Sequence, residues 1–237
     1  MEVNSFWEGE RLTNLETLSI RSFIRNGIGY NLYVYDAPEG VPENAVLKDA
    51  ADILPRTKIF RYKAGDFNAG SISGFSNLFR YTLIHEIGGW WSDTDVCCLR
   101  HLSQDFDEVY FQQPAKNGAF SVGNAFFKAP AGNPVMRYCL DLFSRKDVTQ
   151  VVHGETGPRL FTEAVLACHK QNRVLGHELF CPVAWWDYER LFVDENLSLD
   201  GCFTAHFYNA MITSSGLDKN AVFPAGAPFE RLKKKFL

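Results

Sequence analysis

Two β-rich segments flank one helical segment near the N-terminus, and that order constrains the fold more than any other feature of the chain. Residues 3–6 are apolar or small and run into Trp7-Glu8-Gly9, which reads as a strand entering a loop. Thr13 and Glu16 are spaced as a capping box, which satisfies two backbone donors that a helix start leaves orphaned. Leu15, Leu18, Ile20, Phe23 and Ile24 then recur at roughly helical spacing, and Gly27 supplies a stop. Residues 31–35 are β-rich and precede the turn Pro38-Glu39-Gly40. Strand, helix, strand is a βαβ unit, so the chain is expected to be α/β with a mostly parallel central sheet flanked by helices.

Residues 64–74 are rich in Gly, Ser and Asn and predict a mobile loop, either a plain surface loop or a lid that closes over a ligand. A helix is expected over 75–87, closed by Gly88-Gly89, followed by a buried strand over 90–99 interrupted by polar residues. Further strands are expected over 109–112 and 121–127, and helices over 134–144 and 158–169. Asn133 and Thr156 are the candidate N-caps of those helices, with Pro134 and Pro158 just inside them. The stretch 180–211 is aromatic and its elements stay open. No linker or internal repeat interrupts the chain, so residues 1–237 are expected to form a single domain.

Composition excludes several function classes. The chain carries 24 Lys and Arg against 28 Asp and Glu, a net charge of −4, which argues against a general nucleic-acid binder. Apolar residues at 46% and charged residues at 22% are values of a packed globular protein and not of a disordered one. No apolar run approaches the roughly 20 residues of a membrane-spanning helix. Met1-Glu2-Val3-Asn4 lacks a secretory pattern, so a cytoplasmic setting is expected. The six cysteines form no C-x-x-C pair and read as small buried apolar residues. Arg231-Leu232-Lys233-Lys234-Lys235-Phe236-Leu237 mixes basic and apolar residues, which reads as a solvated frayed terminus or as a peripheral contact with an anionic membrane.

Chemistry concentrates around Asp93-Thr94-Asp95. Within a strand, alternation would put Trp91, Asp93 and Asp95 on one face. Two carboxylates on that face need a counter-charge unless they sit in water at an exposed strand end. A hard divalent cation, Mn²⁺ or Mg²⁺, is the natural one, because it binds one or two carboxylates together with substrate phosphates. Asn77 and Arg80 lie three apart on the preceding helix and so share a face. That face is placed to meet the cleft at the carboxyl ends of the strands.

Phe75-Ser76-Asn77-Leu78-Phe79-Arg80-Tyr81 followed by Gly88-Gly89-Trp90-Trp91-Ser92-Asp93-Thr94-Asp95 resembles the signature of the DXD-containing sugar-transferase family. That family includes initiating α-mannosyltransferases, α-1,4-galactosyltransferases and the glucosyltransferase domains of clostridial toxins. Its pattern is Ser-Asp, two residues, Arg-Tyr, then Gly-Gly, an aromatic and Asp-x-Asp. Ser5-Phe6-Trp7-Glu8-Gly9, Gly123-Asn124-Ala125-Phe126, Thr156-Gly157-Pro158 and His206 extend the resemblance more weakly. It implies a GT-A fold, a nucleotide-binding part over about 1–100 and an acceptor-side part over about 101–237. It further implies a nucleotide-sugar donor with UDP favoured over GDP, a Mn²⁺ or Mg²⁺ ion, a glycan or lipid-linked glycan acceptor, and retention of anomeric configuration.

Carried over residue by residue, the resemblance gives Asp95 a direct contact with the metal. Asp93 would touch the donor ribose or sugar and reach the metal through water, and Arg80 would hold donor sugar hydroxyls. Trp7 would stack near the nucleobase, Trp91 would lie beside the donor, Asn124 near the donor sugar, and His206 would supply a late metal contact. Asn77 departs from the family, which usually has Asp there. That departure keeps open a changed donor or a non-catalytic nucleotide-sugar-binding relative. Glu155 is placed either to face the acceptor or to favour a helix N-terminus. His85, His101, His153, His169 and His177 show no ligand spacing. A metal-dependent phosphohydrolase also uses Asp-x-Asp after a strand, but normally with Thr or Val at a position where Cys97 stands here.

Overall fold

The computed structural model describes residues 1–101 and 106–237. Strand β1 (Glu2–Phe6), helix α1 (Asn14–Arg25) and strand β2 (Gly29–Val34) form the expected βαβ unit, with β1 and β2 paired in parallel. The chain continues through β3 (Ala45–Asp49), α2 (Ser73–Ile87), β4 (Gly89–Ser92), β5 (Val96–Cys98), β6 (Val109–Gln112) and β7 (Val122–Ala129). It ends with α3 (Pro134–Phe143), α4 (Leu160–Ala167), β8 (Val174–Leu175), α5 (Arg190–Val193), β9 (Thr204–His206), α6 (Asn209–Ser215) and α7 (Pro228–Phe236). Among the described residues seven strands make the central sheet in the order β3-β2-β1-β4-β7-β6-β8, in which β7 alone runs against the others. Strands β5 and β9 form a separate antiparallel ribbon.

The pleat sorts neighbouring aromatics to opposite faces of the sheet. Tyr30, Leu32, Trp90 and Phe126 pack with Ile20 and Phe23 of α1 on one side. Phe6, Tyr33, Trp91 and Phe127 pack against Phe75, Phe79, Met136 and Phe161 of α2, α3 and α4 on the other. A third cluster unites Leu15 and Leu18 of α1 with Cys97, Phe192, Phe207 and Phe229, and it fastens the ribbon to the body.

Local rules explain the helix starts. The Glu16 carboxylate accepts from the Thr13 backbone N–H at 2.9 Å and from the Thr13 hydroxyl, and its other oxygen meets Lys219 Nζ at 2.5 Å. Asn133 Oδ1 caps α3 by accepting from the N–H groups of Val135 and Met136 at 2.8 and 3.4 Å. Thr156 is not a cap. Residues 155–159 form one π-helical turn and α4 begins only at Leu160, while the Thr156 hydroxyl accepts from Asn77 Nδ2 at 3.2 Å.

The basic C-terminus corrects the expectation of a frayed end, since it is helical and its apolar face is buried. As α7 it packs against α1 and α5 with Phe229, Leu232 and Phe236 buried, which leaves Lys234 and Lys235 exposed while Lys233 pairs with Glu230. Among the described residues no helix is long and apolar enough to cross a membrane. Residues 64–74 lie against a second loop: the Asp66 carboxylate accepts from the His153 N–H at 2.9 Å, and the Phe67 ring sits 4.9 Å from the His153 ring. Since Phe229 is wholly buried, Phe229→Ala should cost about 3–5 kcal/mol in urea unfolding, against less than about 0.5 kcal/mol for the exposed Lys234→Ala. Equal midpoints for the two variants would contradict the docking of α7.

Candidate active site

The Asp-x-Asp segment does not continue a strand. Residues 90–99 break into β4 and β5, and Asp93-Thr94-Asp95 turns between them, closed by a hydrogen bond from the Val96 N–H to the Asp93 carbonyl at 3.1 Å. The break marks a change of partner strand, from β7 to β9. The Asp93 N–H donates to the Ala125 carbonyl of β7 at 2.7 Å, after which the chain leaves the central sheet to pair with β9. The two carboxylates therefore converge through the turn and not through strand alternation. Register then supplies the third group: Val96 pairs with His206, which brings His206 Nε2 to 3.3 Å from Asp95 Oδ2.

Asp93 is held by a fork. Arg80 on α2 reaches its two oxygens at 2.9 and 3.2 Å, and Trp91 Nε1 donates to Oδ1 at 2.7 Å. Arg80 also donates to the Asn124 carbonyl at 2.5 Å and lies 5.0 Å from the Trp91 ring, in cation–π range. Arg80 is only 4% exposed, whereas the Asp93 side chain keeps 23% and so faces an opening. Trp91, expected beside the donor, has its ring buried in the core and presents its N–H to Asp93.

Asn77 and Asn124 are joined. Asn124 Nδ2 donates to Asn77 Oδ1 at 2.9 Å and to the Tyr81 hydroxyl at 3.0 Å, and Tyr81 donates to the Thr156 carbonyl at 2.9 Å. The Asn77 amide thus serves as donor to Thr156 and acceptor from Asn124, two roles that a carboxylate could fill only if the Thr156 hydroxyl reversed its direction. Trp7 follows β1 and its ring faces Lys219 Nζ at 5.9 Å, with its own Nε1 unpartnered. Lys219 in turn donates to Asn209 Oδ1 at 3.1 Å. Glu155 pairs with Lys146. Lys219, Asn209 and Tyr208 escaped the sequence reading, because only the tertiary fold brings them to the aspartates.

The two aspartates titrate in opposite directions. Burial pushes the Asp93 carboxyl up, with Arg80 opposing and Asp95 adding to it. Burial also disfavours the charged form of Asp95, but the His206 charge and the hydrogen bonds from His206 and the Asn209 N–H outweigh it and hold Asp95 low. His206 is pushed up to about 10, since its attraction to Asp95 exceeds its own desolvation. Asp93, Asp95 and His206 can each aim one ligand atom so that all lie within 4.8 Å of one another. Asp95 Oδ1 is buried and has no hydrogen-bond partner among the described residues, a costly state that a cation would relieve. Two carboxylate oxygens and one imidazole nitrogen, freed once His206 gives up its proton to solvent, fit a divalent ion of the Mn²⁺ type.

No protein-family model matches the sequence, and no curated protein matches it. Among solved structures the chain is similar to the PaToxG glycosyltransferase, with 13% identity, a TM-score of 0.50, and coverage of 98% of this chain and 85% of that one. An active-site mutant of LgtC aligns with a TM-score of 0.48 at 11% identity over 91% of this chain and 95% of that one. The PaToxG likeness establishes the fold, which is that of a GT-A glycosyltransferase.

Arg80→Met leaves the part-buried Asp93 carboxylate without its counter-charge. The loss at neutral pH should be about 1–3 kcal/mol in chemical unfolding. A carboxyl whose folded-state pKa is raised stabilises the fold while protonated and loses that contribution as pH rises through the folded value. The gap between variant and wild type should therefore narrow on acidification towards the ordinary Asp pKa of about 3.9, and a constant gap would contradict the pairing.

Proposed function

We propose that this protein is a retaining hexosyltransferase that moves a sugar from a nucleotide donor, UDP-linked in preference to GDP-linked, to a glycan or lipid-linked glycan acceptor. The unpartnered Asp95 Oδ1, inside an Asp–Asp–His group on a glycosyltransferase fold, carries this reading. Residues up to about 100 would bind the nucleotide and those beyond would form the acceptor side. Trp7 would meet the nucleobase, Asn77 and Asn124 the donor sugar, and Asp93 the donor ribose or sugar.

Asp95, Asp93 and His206 would hold Mn²⁺ or Mg²⁺, which as a Lewis acid would neutralise the leaving diphosphate. Arg80 orients Asp93 and places cationic charge beside the donor, an arrangement fixed before substrate arrives and so requiring little reorganisation during the reaction. Glu155, the acceptor-side carboxylate that the sequence singles out, is engaged by Lys146 and so is not free to act as a nucleophile. Front-face attack, with the departing phosphate taking the acceptor proton, is the matching course. Asn77 favours a second reading, a nucleotide-sugar-binding relative without turnover.

Calorimetric titration of UDP and GDP, with and without Mn²⁺, into wild type and Asp95→Ala tests the first reading. Binding of one nucleotide only with metal, lost in the variant, is the expected result. Metal-independent binding, or equal binding by the variant, refutes the assignment. Binding without turnover, with turnover restored by Asn77→Asp, would instead support the second reading.

A further inference from the structure

Tyr208 stands between two backbone amides that both grip Asp95. The Phe207 N–H donates to the Asp95 carbonyl at 2.9 Å, and the Asn209 N–H donates to Asp95 Oδ2 at 2.6 Å. Along an extended chain the N–H groups of residues 207 and 209 would face the same side but about 6.8 Å apart, each opposite a different residue of the partner strand. The left-handed backbone of Tyr208, with φ 56° and ψ 63°, breaks that advance, and the Asn209 N–H meets the side chain of the aspartate whose carbonyl the Phe207 N–H already holds. The other non-glycine residues with positive φ among those described are Asn44, Asn68 and His169, types that tolerate this region better than a bulky aromatic does.

The side chain accounts for the persistence of that conformation. The Tyr208 hydroxyl donates to the Val183 carbonyl at 2.6 Å and lies 2.7 Å from Cys181 Sγ. Its ring packs on His206, with centroids 4.1 Å apart and planes 34° apart. Phe207 before it is wholly buried. Tyr208 thus holds His206 with its ring, while its backbone sets the direction of the following N–H, that of Asn209, which binds Asp95.

We propose that Tyr208 is a positioning residue for the cation site: its left-handed backbone commits Asp95 Oδ2 to the Asn209 N–H and leaves Oδ1 free for the ion. This rests on the reading of Asp93, Asp95 and His206 as a cation site. A residue that resists positive φ relaxes in the metal-free protein, and the ion must then draw the segment back, which lowers its apparent affinity.

Two matched pairs of variants isolate the backbone from the ring. Tyr208→Asn and Tyr208→Val both remove the phenol, but only Val resists the left-handed region; Tyr208→Gly and Tyr208→Ala repeat the contrast with milder strain. Affinity for Mn²⁺ alone is read from the electron paramagnetic resonance signal of the free ion, at a temperature where melting curves show each variant folded. The Val variant is expected to bind at least about tenfold more weakly than the Asn variant, and Ala about threefold or more below Gly. Equal affinities within each pair overturn the proposal even if melting temperatures fall, because they reduce Tyr208 to a packing residue. If Tyr208→Val does not fold, the Gly and Ala pair decides alone. Absence of Mn²⁺ binding by the wild type refutes the cation site itself, and the role of Tyr208 with it.

Discussion

A guanidinium buried to the extent of Arg80 cannot exist without partners, and its partners come from three different elements. Ser76 lies one turn back on α2, Asp93 in the turn after β4, and the Asn124 carbonyl on β7. Satisfying one side chain therefore locks a helix, a turn and the single reversed strand in one arrangement. Trp91 adds to the constraint, since its N–H reaches Asp93 only while its ring stays in the core. A buried ion pair of this kind is a weak source of net stability, because desolvation offsets the Coulomb attraction. What it supplies here is geometry: Asp93 is aimed before any ligand arrives.

The two aspartates are built differently for that reason. Asp93 is engaged at both oxygens, by Arg80 and Trp91, and burial raises its pKa. Asp95 has one oxygen engaged by the Asn209 N–H and His206, the other buried and unpaired, and its pKa is lowered. A carboxylate that stays ionised with a free inward lone pair is the better ligand for a hard cation. An aspartate already gripped by a guanidinium is better suited to hydroxyl groups or to a water on that cation. The pair is thus asymmetric in the sense the proposed chemistry needs, and the asymmetry arises from neighbours rather than from the motif.

Those neighbours set the boundary of what the sequence reveals. The capping box of Thr13 and Glu16 and the Asn133 cap are local, so a rule spanning three residues finds them. The break at Asp93 is not local. There the chain changes partner strand, from β7 to β9, and the apolar run on either side of the turn reads as continuous until those pairings are known. Thr156 looks like a cap in sequence, yet its hydroxyl is claimed by Asn77 from α2. The tail looks solvated because its lysines are frequent, while Phe229, Leu232 and Phe236 lie at spacings that reach inward once α1 and α5 are there to receive them. His206 reached the candidate set through the family resemblance; the β5–β9 register is what gives it a physical reason to be there.

Glu16 joins the two scales. As the third residue of α1 it performs a task legible in the sequence, closing the capping box with one oxygen. Its second oxygen holds Lys219, and a fully buried carboxylate needs that positive charge. Lys219 then spans to Asn209 Oδ1 and faces the Trp7 ring, so the residue that starts the first helix also fixes a cation next to the peptide that binds Asp95. Helix initiation and site geometry share one carboxylate. Loss of its charge would act on both, because the Lys219 ammonium would lose its anchor while the Thr13 N–H lost its acceptor. A substitution at position 16 would therefore be felt at Asp95 through the Lys219–Asn209 contact, although Glu16 itself makes no direct bond to either aspartate among its hydrogen bonds to Thr13 and Lys219.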